Sequence, residues 1–524
     1  MTPLEKERLL YQPRFPAVLK RGGYLKPSAC SDDTITHELK NLFPIIGEAK
    51  RVTFVEGELG KEKPLKVGVF FSGGQAPGGH NVIAGLYDML MTLSPKSELI
   101  GFLGGPSGLV NGKAVVLDKE KIAPFRNQGG FHLLGSGRTK IETDEQFELV
   151  RKVVEGMNLD GLVVIGGDDS NTNAAYLAED FAKRQIDCTV IGVPKTIDGD
   201  LKTQDVEISF GFDTASKVYS ELVGNLGKDL LSAKKMWAFV KLMGRSASHL
   251  TLECALNTQP NMALIGEAVE EQKKTVHQVV DEITDLVIAR AKAGKPYGLI
   301  LIPEGIIEFI PEFKRLIGHL NTLLAEGKGP EHLDEEGKKL FELLPKVFQE
   351  QLTLERDPHG NVQVSKIETE RLFMKMVEEE IKRRGEKVPF SPQPFFFGYE
   401  ARASLPTSFD ANYCYSLGMV AALGVSLRTT GLMAALSDLH YPPEQWLPNL
   451  VPLVSMMGFE VRKGAQRGVV TKALVDLEGA MYNHYLKESP KWALDDQYLC
   501  PGPIQYFGPP SVTEILPWMI KVRV

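Results

Sequence analysis

The chain has 524 residues, with 60 Lys and Arg against 67 Asp and Glu and a formal charge of -7. It is therefore too long for a single growing core and offers no broad basic surface to a nucleic-acid backbone. Five cysteines, Cys30, Cys188, Cys254, Cys414 and Cys500, are scattered without CxxC spacing, which argues against a disulfide framework and points to a reducing cytoplasm.

Met1 to Arg14 is broken by Glu5, Lys6, Glu7 and Arg8, so no secretory signal is expected. Residues 1–64 mix prolines, charges and short apolar clusters, close on Gly60-Lys61-Glu62-Lys63-Pro64, and read as an N-terminal extension. Lys66 to Ser72 predicts a strand, Gly73-Gly74 a turn and Asn81 to Leu93 an apolar helix, which starts the first βα unit. A second strand, Glu98 to Leu103, ends at Gly104-Gly105-Pro106. Thr143 and Gln146 have capping-box spacing and open a helix running to about Met157. Leu162 to Ile165 and Val190 to Val193 lack polar alternation and read as buried parallel strands, with Ser170 capping a helix over Asn173 to Arg184 between them.

Further strands are expected at Met236–Leu242, Met262–Ile265 and Tyr297–Ile302, and helices at Ser246–Leu256 and Thr275–Lys292. Between about Ile306 and Pro394 the chain becomes charged and helix-favouring, as in Glu368–Arg384, with turn chemistry at Asp357-Pro358-His359-Gly360-Asn361. Apolar α/β character resumes at Phe395. Ser416–Leu439 carries Arg428 and small polar residues, and is expected to be a buried helix rather than a membrane span. The final seventy or so residues, rich in prolines and aromatics, read as a folded extension.

Two runs about thirty residues apart carry the chemistry, Gly166-Gly167-Asp168-Asp169-Ser170 and Pro194-Lys195-Thr196-Ile197-Asp198-Gly199-Asp200. Each sets carboxylates at the end of an apolar strand, where ligands of open α/β sheets gather. A polyphosphate needs a divalent cation on carboxylate oxygen, glycines that admit backbone N–H groups and a base for the attacking hydroxyl. Taken singly, the aspartates are equally turn formers or helix-capping groups. Four of them at neighbouring strand ends would repel one another without a cation, which a bound Mg²⁺ would supply.

Gly73-Gly74-Gln75-Ala76-Pro77-Gly78-Gly79 is either a phosphate-cradling loop or a tight turn, and matches neither the Walker A nor the GxGxxG pattern. Gly135 to Lys140 and Met243-Gly244-Arg245 each place an arginine on a turn, as a bidentate phosphate ligand or as a solvated charge. His80, His249, Glu304 and Tyr399 to Arg402 are open to purely structural readings.

Together these motifs resemble the phosphofructokinase superfamily, in consistent order from about Lys66 to Leu417. The glycine loop Gly73–Gly78, the Gly166–Ser170 turn, the Pro194–Asp200 run, Met243–Arg245, Pro303–Gly305 and Gly398–Arg402 each match the family's pattern. The resemblance implies an α/β fold of two Rossmann-like lobes with mostly parallel sheets, a helical insertion and terminal extensions. It divides the chain into an extension at 1–64, a lobe of 65–220 with 396–450 for pyrophosphate and Mg²⁺, and a second lobe at 221–305 for the sugar phosphate. The helical insertion is then 306–395 and the C-terminal extension 451–524. ATP-using members carry glycine at the positions of Asp169 and Lys195, whereas pyrophosphate-dependent members carry these two residues. Asp169 would repel a nucleotide α-phosphate, and Lys195 would add a cation beside the smaller anion.

The resemblance further implies that Gly73, Arg138 and Lys195 contact pyrophosphate, that Asp168 holds Mg²⁺, and that Asp198 is the base, with Lys195 and Asp169 beside it in the catalytic set. Thr196, Ile197, Asp198, Met236, Met243, Gly244, Arg245, Glu304, Tyr399, Glu400, Ala401 and Arg402 would hold fructose 6-phosphate. Lys235 would reach in from a neighbouring subunit, in a homodimer or higher oligomer with shared active sites. An arginine that ATP-using relatives carry six residues before the position of Tyr399 is Gln393 here, which leaves the intersubunit clamp open. The expected reaction is reversible phosphoryl transfer from pyrophosphate to the C1 hydroxyl of fructose 6-phosphate. An ATP-dependent phosphofructokinase and a non-catalytic regulatory subunit are the alternatives.

Overall fold

The computed structural model describes residues 1–30, 35–56, 63–354, 362, 366–462 and 465–522. The turn expected at Asp357–Asn361, and Gly60 to Glu62 of the one before Lys63, lie outside the described residues. The chain forms two compact units, one of Met1–Ala215, Glu400–Ala473 and Ile504–Val524, the other of Ser216–Tyr399 and Leu474–Pro503. In chain order the strands are β1 Leu25–Cys30, β2 Arg51–Glu56, β3 Lys66–Ser72, β4 Glu98–Phe102, β5 Ala114–Leu117, β6 Ser136–Gly137, β7 Gly161–Gly166 and β8 Thr189–Pro194. Then come β9 Trp237–Leu242, β10 Met262–Ala263, β11 Gly298–Pro303, β12 Pro392–Phe397, β13 Leu432–Ser437, β14 Leu447–Pro452, β15 Met457–Arg462 and β16 Ala465–Val470.

In the first unit one sheet runs β1-β2-β14-β13-β8-β7-β3-β4-β5, with β6 paired to the end of β3. The centre, β13-β8-β7-β3-β4, is parallel, and its flanking strands pair antiparallel. Every residue of β7 and β8 is buried, as expected of strands covered on both faces. On one face Leu162, Val164 and Val190 join Ala174, Ala175, Ala178 and Phe181 of the Asp168–Lys183 helix in one apolar cluster. On the other, Gly161 meets Val425, and Ile191 meets Gly424, both from the Ser408–Ser426 helix.

That helix packs directly on the Gly79–Leu93 helix that follows the first glycine loop. A Cβ on Gly85 would lie 1.9 Å from the Tyr415 carbonyl oxygen, and one on Gly418 2.1 Å from that of Val82. Backbone meets backbone there, so no side chain fits between.

The second unit carries its own sheet, β10-β11-β9-β12, parallel throughout. Trp237, Phe239, Ile300 and Ile302 on its strands share one apolar cluster with the Val276–Lys292 and Thr369–Arg383 helices and with Phe313, Leu316, Phe348 and Leu352 of the helix-rich segment between β11 and β12. Among the described residues no helix is long and apolar enough to cross a membrane.

The α/β class and the parallel pairing of the two apolar runs are as expected, and most boundaries lie within three residues of the sequence reading. Two segments differ. Ser416–Leu439 is not one helix: the helix stops at Ser426, Arg428 and Gly431 take positive φ of 56° and 77°, and the chain returns as β13. A buried helix and a buried parallel strand have the same apolar composition, so periodicity does not separate them. The helix after β7 begins at Asp168, not Asn173, and Ser170 does not cap it. Ser170 sits in the first turn and donates its hydroxyl to Ser72 Oγ at 2.8 Å.

Gly418→Val would force a branched side chain into the interhelical contact, and is expected to cost roughly 3 kcal/mol of stability, read as a lower urea midpoint. An unchanged midpoint would refute the backbone contact.

Candidate active site

Three neighbouring parallel strands of the first unit end side by side, and each hands the chain to a functional residue. β3 leads to Gly73, β7 to Gly167 and Asp168, and β8 to Lys195. The chain continues from β3 to β4 on one side while β7 lies on the other, which makes this a topological switch point of the sheet. The short β6 brings in Arg138. Its Gly137 carbonyl accepts from Gly73 N at 2.9 Å, and Ser136 Oγ donates to the Gly73 carbonyl at 2.6 Å.

The glycines are explained by what surrounds them. Gly73 has φ of +85°, and a Cβ there would stand 3.4 Å from Lys195 Nζ; a Cβ on Gly74 would stand 3.5 Å from Arg138 Nη2 and 3.6 Å from the Arg402 guanidinium carbon. Three cations thus face a turn whose backbone is bare, a cradle shaped for a polyanion. Lys195 is 6% exposed. Burial, reinforced by Arg402 and Arg138 and opposed by Asp198 and Asp168, pushes its ammonium down to about 8.

The Lys195–Asp200 loop is fixed from behind. Lys195 bridges to Phe210, whose N–H donates to the Pro194 carbonyl at 3.1 Å, and Ser209 Oγ donates to the Thr196 carbonyl at 3.0 Å. Ile197 is buried, Asp198 N donates to Thr196 Oγ1 at 3.1 Å, and Asp198 is half-buried with its charge acting on Lys195. Asp200 is buried, and burial together with the charges of Asp198 and Asp168 raises its carboxyl well above the usual range, against the pull of Lys472.

Of the four acids expected to converge, Asp168 and Asp198 lie near enough to Asp200 to raise its carboxyl. Asp169 pairs with Lys140 at 3.4 Å, and Asp168 faces Lys472 at 3.6 Å. Among the described residues no three His, Cys, Asp or Glu side chains form a metal cage. Mg²⁺ in phosphoryl-transfer sites is ordinarily held by one or two carboxylates, with substrate phosphates and water completing its shell. The half-buried Asp168, near enough to Asp200 to help raise its carboxyl, fits that donor set.

The second unit gathers its own group at the carboxyl ends of adjacent strands. Met243, Gly244 and Arg245 follow β9, Glu304 follows β11, and Tyr399 follows β12. Gly244 takes φ of +115°, Glu304 N donates to the Leu242 carbonyl at 2.9 Å, and Gly305 N to the Gly244 carbonyl at 3.3 Å. Glu304 is buried, whereas Arg245 and Tyr399 are exposed. Lys235 and Met236 stand before β9, at the opposite end of that strand, about 20 Å from Met243 for six residues of strand. Of the run Tyr399–Arg402, Glu400, Ala401 and Arg402 belong to the first unit, with Glu400 exposed, Ala401 buried and Arg402 beside Gly74.

His80 is an interior group, its ring against Phe125 and His132 and its imidazole pushed down to about 3 by burial and by His132. Sequence reasoning missed Lys472, which sits in the unremarkable stretch Val470-Thr471-Lys472-Ala473, and the placement of Arg402 against the first glycine loop.

The family model described as Phosphofructokinase matches residues 66–425. The chain is 50% identical over 491 residues to the pyrophosphate--fructose 6-phosphate 1-phosphotransferase subunit beta 2 of Arabidopsis thaliana, covering 90% of this chain and 86% of that one. It is 45% identical over 545 residues to the pyrophosphate--fructose 6-phosphate 1-phosphotransferase of Treponema pallidum, covering 98% and 95%. The crystal structure of a pyrophosphate-dependent phosphofructokinase from Nitrosospira multiformis superposes with a TM-score of 0.52 at 16% identity over 75% of this chain and 84% of that one, a likeness of fold.

The Lys195 ammonium is harder to keep in the folded chain, at about 8, than at its ordinary 10.5. Its burial therefore costs stability in full below about pH 8, and the cost fades as pH rises toward 10.5. Lys195→Met is expected to be more stable than the parent chain at pH 7 and to lose that advantage by pH 10.5 in urea unfolding. An advantage independent of pH would show that the ammonium is not desolvated.

Proposed function

The chain belongs to the phosphofructokinase family, and we propose that its first-unit site takes pyrophosphate with Mg²⁺ while the second-unit cluster takes the sugar phosphate. It is a phosphotransferase, moving a phosphoryl group reversibly from pyrophosphate to the C1 hydroxyl of fructose 6-phosphate to give fructose 1,6-bisphosphate and phosphate. The observation that carries the reading is the Lys195 ammonium buried over Gly73, beside Arg138 and next to the carboxylate run.

Gly73 and Gly74 admit the donor's oxygens to backbone, and Lys195 and Arg138 neutralise its charge. Asp198 accepts the proton of the C1 hydroxyl as that oxygen attacks the near phosphorus in line, and returns it in the reverse direction. Lys195 stabilises the charge that builds on the leaving phosphate. Mg²⁺, when bound, supplies further neutralisation on the donor oxygens, and Asp168 would hold it. Met243, Gly244, Arg245, Glu304 and Tyr399 orient the sugar phosphate, with Thr196 and Ile197 shaping the loop that carries the base.

Asp169 favours pyrophosphate over ATP. Its carboxylate, paired with Lys140, lines a cavity of about 210 Å³ with Phe147, Tyr176 and Arg467, and its bulk and charge would disfavour a nucleotide α-phosphate. Lys235 and Met236, at the far end of β9 from Met243, serve a second copy of the chain, which makes a homodimer or higher oligomer the working form. Cys188, Cys254, Cys414 and Cys500 are free thiols, which suits the reducing cytoplasm.

Asp198→Asn is expected to lower kcat about 10²- to 10⁴-fold with little change in either KM; a kcat within a few-fold of the parent would remove Asp198 as the base. Replacing Asp169 and Lys195 together by glycine is expected to admit ATP and weaken turnover with pyrophosphate in a steady-state donor panel. Unchanged donor preference would overturn the assignment of these two residues.

A further inference from the structure

We propose that Lys472 is a further donor-site residue: a tethered ammonium that occupies Asp168 while the site is empty and passes to the incoming phosphate once a divalent ion takes that carboxylate. The inference rests on the reading that Asp168 holds the metal. Lys472 lies beyond residues 66–425, the span of the family match.

Its backbone is pinned on both sides. Val470 N donates to Thr172 Oγ1 at 2.9 Å, Thr471 N to the Met456 carbonyl at 3.0 Å, and Ala473 N to the Asp200 carbonyl at 2.7 Å. The segment after β16 therefore runs along the carboxylate loop and presents the Lys472 ammonium to Asp168 and Asp200. Lys472 Nζ stands 3.6 Å from Asp168 Oδ2, an ion pair longer than a charge-assisted hydrogen bond and easily exchanged. A flexible lysine stem with three rotatable donors suits such an exchange better than a rigid guanidinium fork.

The charges decide the direction. Lys472 pairs with Asp168 and acts on the buried Asp200, while Lys195, Arg138 and Arg402 gather around the glycine turn. A divalent ion on Asp168 would repel the ammonium from that carboxylate. The nearest new anion is the phosphate that arrives with the ion, so an ammonium that competes with the metal in the empty site becomes a ligand of the donor in the filled one.

The test uses full-length wild type, Lys472→Gln, Lys472→Arg and Asp168→Asn. Mn²⁺ binding is measured without pyrophosphate by the paramagnetic resonance signal of the free ion, and the KM for pyrophosphate is measured with Mg²⁺. Lys472→Gln is expected to bind Mn²⁺ several-fold tighter and to raise the pyrophosphate KM about tenfold, with Lys472→Arg close to wild type in both. Unchanged Mn²⁺ affinity in Lys472→Gln overturns the competition, and an unchanged pyrophosphate KM overturns the transfer to phosphate. Should Asp168→Asn bind Mn²⁺ like wild type, the metal assignment itself falls and this inference with it, an outcome distinct from the other two.

Discussion

A cation buried against bare backbone governs this site. Lys195 loses its water at the end of β8 and gains Gly73, whose missing side chain leaves room beside the ammonium, and the partial compensation of Asp198 and Asp168. An ammonium so placed is costly to the empty fold and strongly attractive to a small, highly charged anion, because desolvated charges interact more strongly than exposed ones. The surrounding bonds serve to keep it there: the bridge from Lys195 to Phe210, the Ser209 hydroxyl on the Thr196 carbonyl, and the ladder that holds β8 against β7.

The two units solve the positioning problem the same way. In each, adjacent parallel strands stop together, and the residues just past their carboxyl ends form one group: Gly73, Asp168 and Lys195 in the first, Met243 to Arg245, Glu304 and Tyr399 in the second. Parallel pairing makes this possible, because all carboxyl ends then lie on one edge of the sheet. The contact of the Gly79–Leu93 and Ser408–Ser426 helices fixes the element that follows the first glycine turn.

What was legible in the sequence was local. The apolar runs before Gly166 and Pro194 announced buried parallel strands because both faces of such strands are covered, and Thr143, three residues before Gln146, marked a helix start that the structure caps in that way. The motifs placed Asp168, Lys195 and Asp198 on neighbouring strand ends for the same reason. What failed was read through composition alone or depended on distant chain. Ser416–Leu439 is equally apolar as helix and as strand, and only the positive φ at Arg428 and Gly431 divides it. Ser170 looks like a cap until Ser72, 98 residues earlier, turns out to take its hydroxyl. Arg402 and Lys472 reach their places through folding of the whole first unit, which no local pattern encodes.

The sheet that carries the site is completed from outside the matched segment. β13 lies directly against β8, β14 and β2 extend the same edge, and the N–H of Ala473 holds the Asp200 carbonyl. Residues 66–425 therefore contain the motifs without being a portable cassette. Transplanted alone, they would leave the strand bearing Lys195 as a raw sheet edge, open to pairing with other chains, and the loop with the proposed base without its clasp.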